Sequence, residues 1–263
     1  MNMLIHNTLK LTSILIGISL IISSLEFINL SPIFNKSGIW SPQLMKLEFK
    51  KYPPLVTTIF NFLFQEKIFN SLLYLRLIAA LITLVWMNSF FILFLLVSTV
   101  IIAIRFRGSF NGGSDYTTIL TLLSLTISCL IPSLATPMMG YLAFQIILSY
   151  FLAGLVKFKN SEWRSGKALK NLFLGPNYSP PIFLIRIFEK KSISFVFCWL
   201  TIVLELLFPM ILGSNHIMVF LVFAGMFHLF NFVSFGLNRF FWSWLAAYPA
   251  LYFTINYLDL SFF

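Results

Sequence analysis

The chain has 263 residues, of which 59% are hydrophobic and 10% charged, with a formal net charge of +10. Soluble domains carry about 25% charged residues, so this composition excludes a soluble globular protein. It points to an all-α, polytopic transmembrane bundle, because a barrel would require apolar and polar residues to alternate along each strand.

Taken in chain order, 1–263 reads as one membrane domain with about eight spans, each close to the ~20 apolar residues a bilayer requires. The first covers about 11–30. Its leader, MNMLIHNTLKLTSILIGISLIISSL, has one Lys and no A-x-A cleavage site, so a retained helix is expected rather than a signal peptide. The connection 31–69 is broken by Pro53-Pro54, and the following LVTTIFNFLF is too short to span. It is expected at the interface or as a re-entrant piece. Spans at 70–87 and 89–105 are separated by MNS and should form a tight hairpin.

The polar stretch RFRGSFNGGSDYTT follows. Gly112-Gly113 there suits a turn with positive φ or close backbone approach, and Ser114 or Asp115 suits a helix cap. A ligand cradle at that helix start is the second reading, with Asp115 as a substrate-binding candidate. Spans at 116–134 and 137–157 are divided by SLATP, with Thr136-Pro137 expected to stop one helix and start the next. In 158–191, Ser161 is expected to cap a short amphipathic helix that GPNYSPP ends. The last spans are 192–212, 216–236 and 239–258.

Sixteen of the eighteen Lys and Arg residues fall on connections after odd-numbered spans; only Lys10 lies opposite, and Arg76 lies inside a span. The positive-inside rule then makes the basic loops cytoplasmic and leaves both termini outside. The net charge reads as a topology and anionic-lipid signal, not as nucleic-acid binding. Cys129 and Cys198 sit in apolar runs and read as small buried residues. With three histidines and no HExxH, CxxC, Walker or GxGxxG pattern, no metal site is expected.

Ionisable groups inside spans cost about 2.5–3.5 kcal/mol each at mid-membrane on insertion scales, so the few present here matter. Arg76 and Glu205 read either as an interhelical ion pair or as ligand and proton groups facing a cavity. His228 reads as an interhelical hydrogen-bonding group or a catalytic one. Lys157, at the end of its span, reads as a snorkelling anchor or as a buried lysine serving as general base.

The stretch around Lys157, YFLAGLVKFKNSEWRSGKAL (150–169), resembles a signature of the HTTM family, the membrane domain related to vitamin K-dependent γ-glutamyl carboxylase. FHLFNFVSFGLNRFFWSWLAAYP (227–249) is similar to that family's later helix pair, and LELLFPMIL (204–212) to the acidic helix between. The similarity runs over about 70–258. It implies Lys157 as the base acting with a quinone-like hydroquinone and His228 as a second catalytic group. Glu205 takes the acidic site, and Glu162 and Trp163 the acidic-Trp pair. Arg76, Glu205, Trp163 and Asp115 complete the substrate-binding candidates.

Two departures narrow this. The segment NGGSDY lacks the histidine that the carboxylase carries there, and the sequence ends at Phe263 without the carboxylase's soluble substrate-binding portion. γ-Carboxylation of a propeptide-bearing protein is therefore not expected; the outline is that of a short bacterial-type member in the inner membrane. Two functions stay open. One is an embedded enzyme that binds a quinone-like or lipid-like small molecule from the bilayer. The other is a non-enzymatic accessory subunit for maturation or export of a secreted peptide or protein, docked to a membrane partner.

Overall fold

The computed structural model describes residues 3–34, 38, 40–106 and 112–258, and among these no strand occurs. Residues 107–111 of the polar stretch before the fourth predicted span lie outside the described residues.

The chain opens with α1 (Met3–Asn29) and a 3-10 turn (Ser31–Phe34), followed by the short helices α2 (Pro42–Phe49) and α3 (Pro54–Leu63). Next comes the hairpin of α4 (Glu66–Val85) and α5 (Ser89–Phe106). Asn88 closes that hairpin, its side-chain oxygen accepting the Phe90 N–H at 2.9 Å. Helix α6 (Gly113–Leu130) leads through a 3-10 turn (Pro132–Leu134) into α7 (Ala135–Lys159). Three short helices follow: α8 (Ser161–Arg164), α9 (Lys167–Leu174) and α10 (Ile182–Phe188). The chain then closes with α11 (Lys191–Leu207), a 3-10 turn (Phe208–Gly213), α12 (Ile217–Phe235) and α13 (Asn238–Leu258).

Among the described residues, six helices are long and apolar enough to cross a membrane: α1, α4, α5, the Pro132–Lys159 unit, the Lys191–Gly213 unit and α12. The other two predicted spans correspond to α6 and α13, of 18 and 21 residues, which are more polar. Their place in the bundle explains the difference. Helix α6 is packed by α5, α7 and α13, and α13 by α1, α6, α7 and α12, so neither depends on a fully lipid-compatible surface. The buried face of α6 is mostly Thr and Ser. Apart from that of Ser124, these hydroxyls donate to carbonyls one turn back, as in Thr121 to Thr117 and Ser128 to Ser124, which removes most of the cost of burying them.

Several local expectations shift. The break between α6 and α7 falls at Ile131-Pro132, and Pro137 sits inside the first turn of α7. Asn160, not Ser161, caps α8 by accepting the Glu162 N–H at 2.8 Å. Gly112 has φ −99° and no neighbour at its missing Cβ, so neither a positive φ nor close approach explains it. Asp115 ties that start instead, accepting the Gly112 N–H at 3.1 Å. Nearly all of the segment LVTTIFNFLF lies in the 10-residue α3, none of whose residues is buried, while Phe64 just past its end is buried.

Arg105, counted in the sequence with the basic loops, is fully buried. It donates to the Phe64 and Trp40 carbonyls, both at 3.1 Å, and lies 3.9 Å over the Phe69 ring. It thereby ties the end of α5 to both sides of the α2–α3 segment. Lys cannot reproduce this forked, stacked contact. Arg105→Lys is expected to lose about 1.5–3 kcal/mol, the range for hydrogen bonds from a charged donor. Limited trypsinolysis should then cut at Lys50 or Lys51 markedly earlier than in the wild type; equal protection would contradict the assignment.

Candidate functional site

Helix α7 sets one wall. Tyr150, Ala153 and Lys157 lie at i, i+3 and i+7, which places them on one face over two turns. All three line a cavity of about 500 Å³. Gly154, on the adjoining face, lets α11 approach: a Cβ there would stand 2.8 Å from the Leu206 nitrogen and 2.9 Å from the Glu205 Cβ. This contact fixes the height of Glu205 opposite Lys157.

The Lys157 ammonium donates to both carboxylate oxygens of Glu205, at 2.8 and 2.7 Å. Its nitrogen also stands 5.2 Å from the centre of the Trp163 ring. Side-chain exposure is 20% for Lys157 and 5% for Glu205, so this lysine is turned inward onto a carboxylate rather than snorkelling to the membrane surface. The partner of Glu205 is therefore Lys157, not Arg76 as the sequence allowed. A pair this buried is set by the register of two helices, and Gly154 provides that register.

His228 occupies the same cavity from α12. Its Nε2 is 2.6 Å from the Tyr150 hydroxyl, which is 2.9 Å from the Tyr248 hydroxyl. The imidazole stacks on Trp244 with centroids 5.0 Å apart and meets Phe240 edge-on at 4.9 Å. Phe240, Trp244 and Tyr248 repeat every four residues along α13, one face of one helix. His228 Nδ1 and Trp244 Nε1 are buried without a partner, and both residues line the cavity. Buried polar atoms are nearly always satisfied, so these two nitrogens are exceptions among residues of the cavity wall.

Four of the predicted site residues, Lys157, Glu205, His228 and Trp163, thus meet around one apolar cavity. Arg76 and Asp115 do not. They line a separate cleft of about 20 Å³ with Arg239. Arg76, fully buried, donates to the Thr99 hydroxyl at 3.4 Å. Arg239 lies 3.6 Å from both Asp115 and Glu26, and Asn238 donates to Glu26. This cluster binds the end of α1 to the starts of α6 and α13. Glu162 is exposed and contributes its backbone to the α8 turn. Tyr150, Tyr248 and Trp244 went unnoticed in the sequence; the i, i+7 relation of Tyr150 to Lys157 was the available signal.

The fold and the site define a polytopic membrane protein with a charged pair and a histidine set in the wall of an apolar chamber. Residues 131–257 match the family model of the HTTM domain. The apolar helices and this match together make the chain an integral membrane protein, a little under half of which matches the HTTM domain, and every residue lining the cavity falls inside the matched stretch. Arg76 and Asp115 fall outside it. No curated protein and no solved structure matches the chain.

Proposed function

We propose that the chamber binds a bilayer-dissolved, quinone-like molecule, and that the Lys157–Glu205 pair exchanges a proton with its hydroxyl group. The observation that carries this reading is the placement of that pair in the wall of an apolar cavity of about 500 Å³. This is the ordinary size for a small-molecule site with few polar groups.

Within the pair, a proton passes from Lys157 Nζ to a Glu205 oxygen at 2.7–2.8 Å. The carboxylic acid and free amine that result carry no charge, which suits an apolar wall. The amine lone pair then accepts a proton from a ligand O–H and becomes the ammonium again. When bound, a hydroquinone would supply that O–H, whose ionisation makes its oxygen a reductant. At the far end of the chamber, the Trp244 indole N–H donates to a second ligand oxygen, and His228 Nδ1 offers a further hydrogen bond. Tyr150 and Tyr248 hold the imidazole in place. Tyr150 and Lys157 are two helical turns apart, about 10 Å at 1.5 Å per residue, so the chamber suits a flat ring with polar groups at both ends. On charge asymmetry alone, we assign the basic loops to the cytoplasmic side and both termini to the outside, in a bacterial inner membrane.

The test is titration of detergent-solubilised protein with menadione, a small naphthoquinone, read by quenching of tryptophan fluorescence; Trp163 and Trp244 both line the chamber. Saturable quenching is expected in the wild type. In the charge-neutral double variant Lys157→Met/Glu205→Leu, the Kd should rise at least tenfold, about 1.4 kcal/mol. Non-saturable quenching equal in both proteins would remove the quinone reading and favour an accessory role with a protein partner.

A further inference from the structure

Helices α11 and α12 are joined by the 3-10 turn Phe208–Gly213 and run back along one another. On α11, Phe197, Leu200, Thr201 and Leu204 recur at i, i+3, i+4 and i+7; on α12, Phe223, Met226, Phe227 and Phe230 do the same. Each set is a continuous helical face, and both sets line the same cavity. Phe197 and Phe230 stack with centroids 6.2 Å apart. An antiparallel register fixed at that contact sets Thr201 against Met226 and Leu204 against Phe223.

Two apolar helix faces in register ordinarily interdigitate and bury each other. Here they do not. Leu200 is 57% exposed, Phe223 58% and Met226 60%. Helix α11 is held by α7 and α9, and α12 by α13, so their facing sides stand apart with the chamber between them. The slot has two closed ends: the 3-10 turn at one, and the Phe197–Phe230 stack, backed by Phe188 at 5.9 Å, at the other. Its outer rim continues into side chains that belong in lipid, such as Val203, Val219 and Val222, which are 44%, 50% and 59% exposed. Its inner end is the Lys157–Glu205 pair and the unpartnered nitrogens of His228 and Trp244.

We infer that this slot is a lateral window through which the ligand enters the chamber sideways from the bilayer. The ligand class that fits is an amphiphile whose small hydroxyl- or carbonyl-bearing head reaches the inner end. Its apolar tail passes out between Leu200 and Met226 and stays in the lipid. Acyl or isoprenoid chains satisfy the rim, which offers no hydrogen-bonding side chain except Thr201; its hydroxyl already donates to the Phe197 carbonyl at 2.9 Å. This inference rests on the chamber being a site for a membrane-dissolved molecule, but not on any proton step there.

The test uses the full chain in phosphatidylcholine vesicles containing adamantyl diazirine, a small lipid-soluble photoprobe, with labelled residues mapped by peptide mass spectrometry. Irradiation is expected to label the interior residues Tyr150 and Trp244. Leu200→Trp/Met226→Trp should narrow the slot and cut that labelling at least threefold, while labelling of the outward-facing Phe90 and Leu93 on α5 stays constant. Leu200→Ala/Met226→Ala should raise interior labelling, which keeps the test alive if the bulky variant fails to fold. Interior labelling that ignores both pairs of substitutions, or an unlabelled interior, would overturn the window. The probe has no hydroxyl or carbonyl, so labelling that survives while menadione binding is absent retires the quinone reading and leaves the window standing. Saturable menadione binding that is insensitive to Leu200 and Met226 does the reverse.

Discussion

Lys157→Met and Glu205→Leu are each expected to destabilise the protein by about 3–5 kcal/mol, while the double variant stands close to wild type. The reason is the burial of the pair. Removing the lysine leaves a carboxylate that is 5% exposed with no counter-charge. Removing the carboxylate leaves an ammonium that is 20% exposed and faces Trp163. The lysine has the longer side chain and can turn outward, so Lys157→Met should be the more damaging of the two. Removing both charges leaves two apolar side chains in an apolar wall. A double-mutant cycle on apparent Tm, in one detergent, measures this as a coupling energy. Strictly additive losses would show that the two residues do not act as a pair. The double variant then separates stability from function, because it keeps the fold but has no proton to exchange.

Gly154→Val should be nearly as severe, through geometry rather than charge. Even the first added carbon meets the α11 backbone at 2.8 Å, and backbone cannot rotate aside as a side-chain tip can. Overpacking of this kind costs about 1–3 kcal/mol, and the larger branched side chain should reach or exceed the upper end. Helix α11 must move outward, and Glu205 moves with it. The coupling between Lys157 and Glu205 should therefore collapse in the Gly154→Val background, although neither residue has been changed. Gly140 on the same helix provides the control. A Cβ there meets nothing within 4 Å, so Gly140→Ala should be neutral or gain up to about 1 kcal/mol from helix propensity. Equal behaviour of the two glycines would contradict the role given to Gly154.

The long apolar helices were legible because hydropathy reports directly on lipid contact. Helices α6 and α13 overlap the spans expected at 116–134 and 239–258 but fall below the hydropathy of a lipid-facing span, since their neighbours rather than lipid surround them. Pro132 lies between α6 and α7, and Pro137 in the first turn of α7. The helix broke at the first and tolerated the second in its opening turn, where no backbone N–H is needed. Arg105 looked like a loop cation because nothing local signals that Phe64 and Trp40, 41 and 65 residues away, would offer it carbonyls.

The candidate site was half legible. Unusual residues in an apolar span flagged Lys157, Glu205 and His228. Which charge meets which is a matter of interhelical register, and the sequence carries that only in Gly154, whose meaning appears once α11 is beside it. Arg76 carried the same flag and went to a different task, buried against Thr99 in a cleft shared with Asp115 and Arg239. Tyr150 and Tyr248 raised no flag because aromatic residues are 18% of this chain, so two tyrosines that contact His228 directly or through one another vanish in that background.

We hold that the Lys157–Glu205 pair faces a ligand in the chamber. This is tested most directly by mass spectrometry of small molecules retained by the purified wild type and by Lys157→Met/Glu205→Leu, extracted in the same mild detergent. The expected result is a hydroxyl- or carbonyl-bearing lipophilic molecule, near one per chain in the wild type and depleted at least tenfold in the double variant. The same molecule at the same occupancy in both proteins, or none in either, would contradict it.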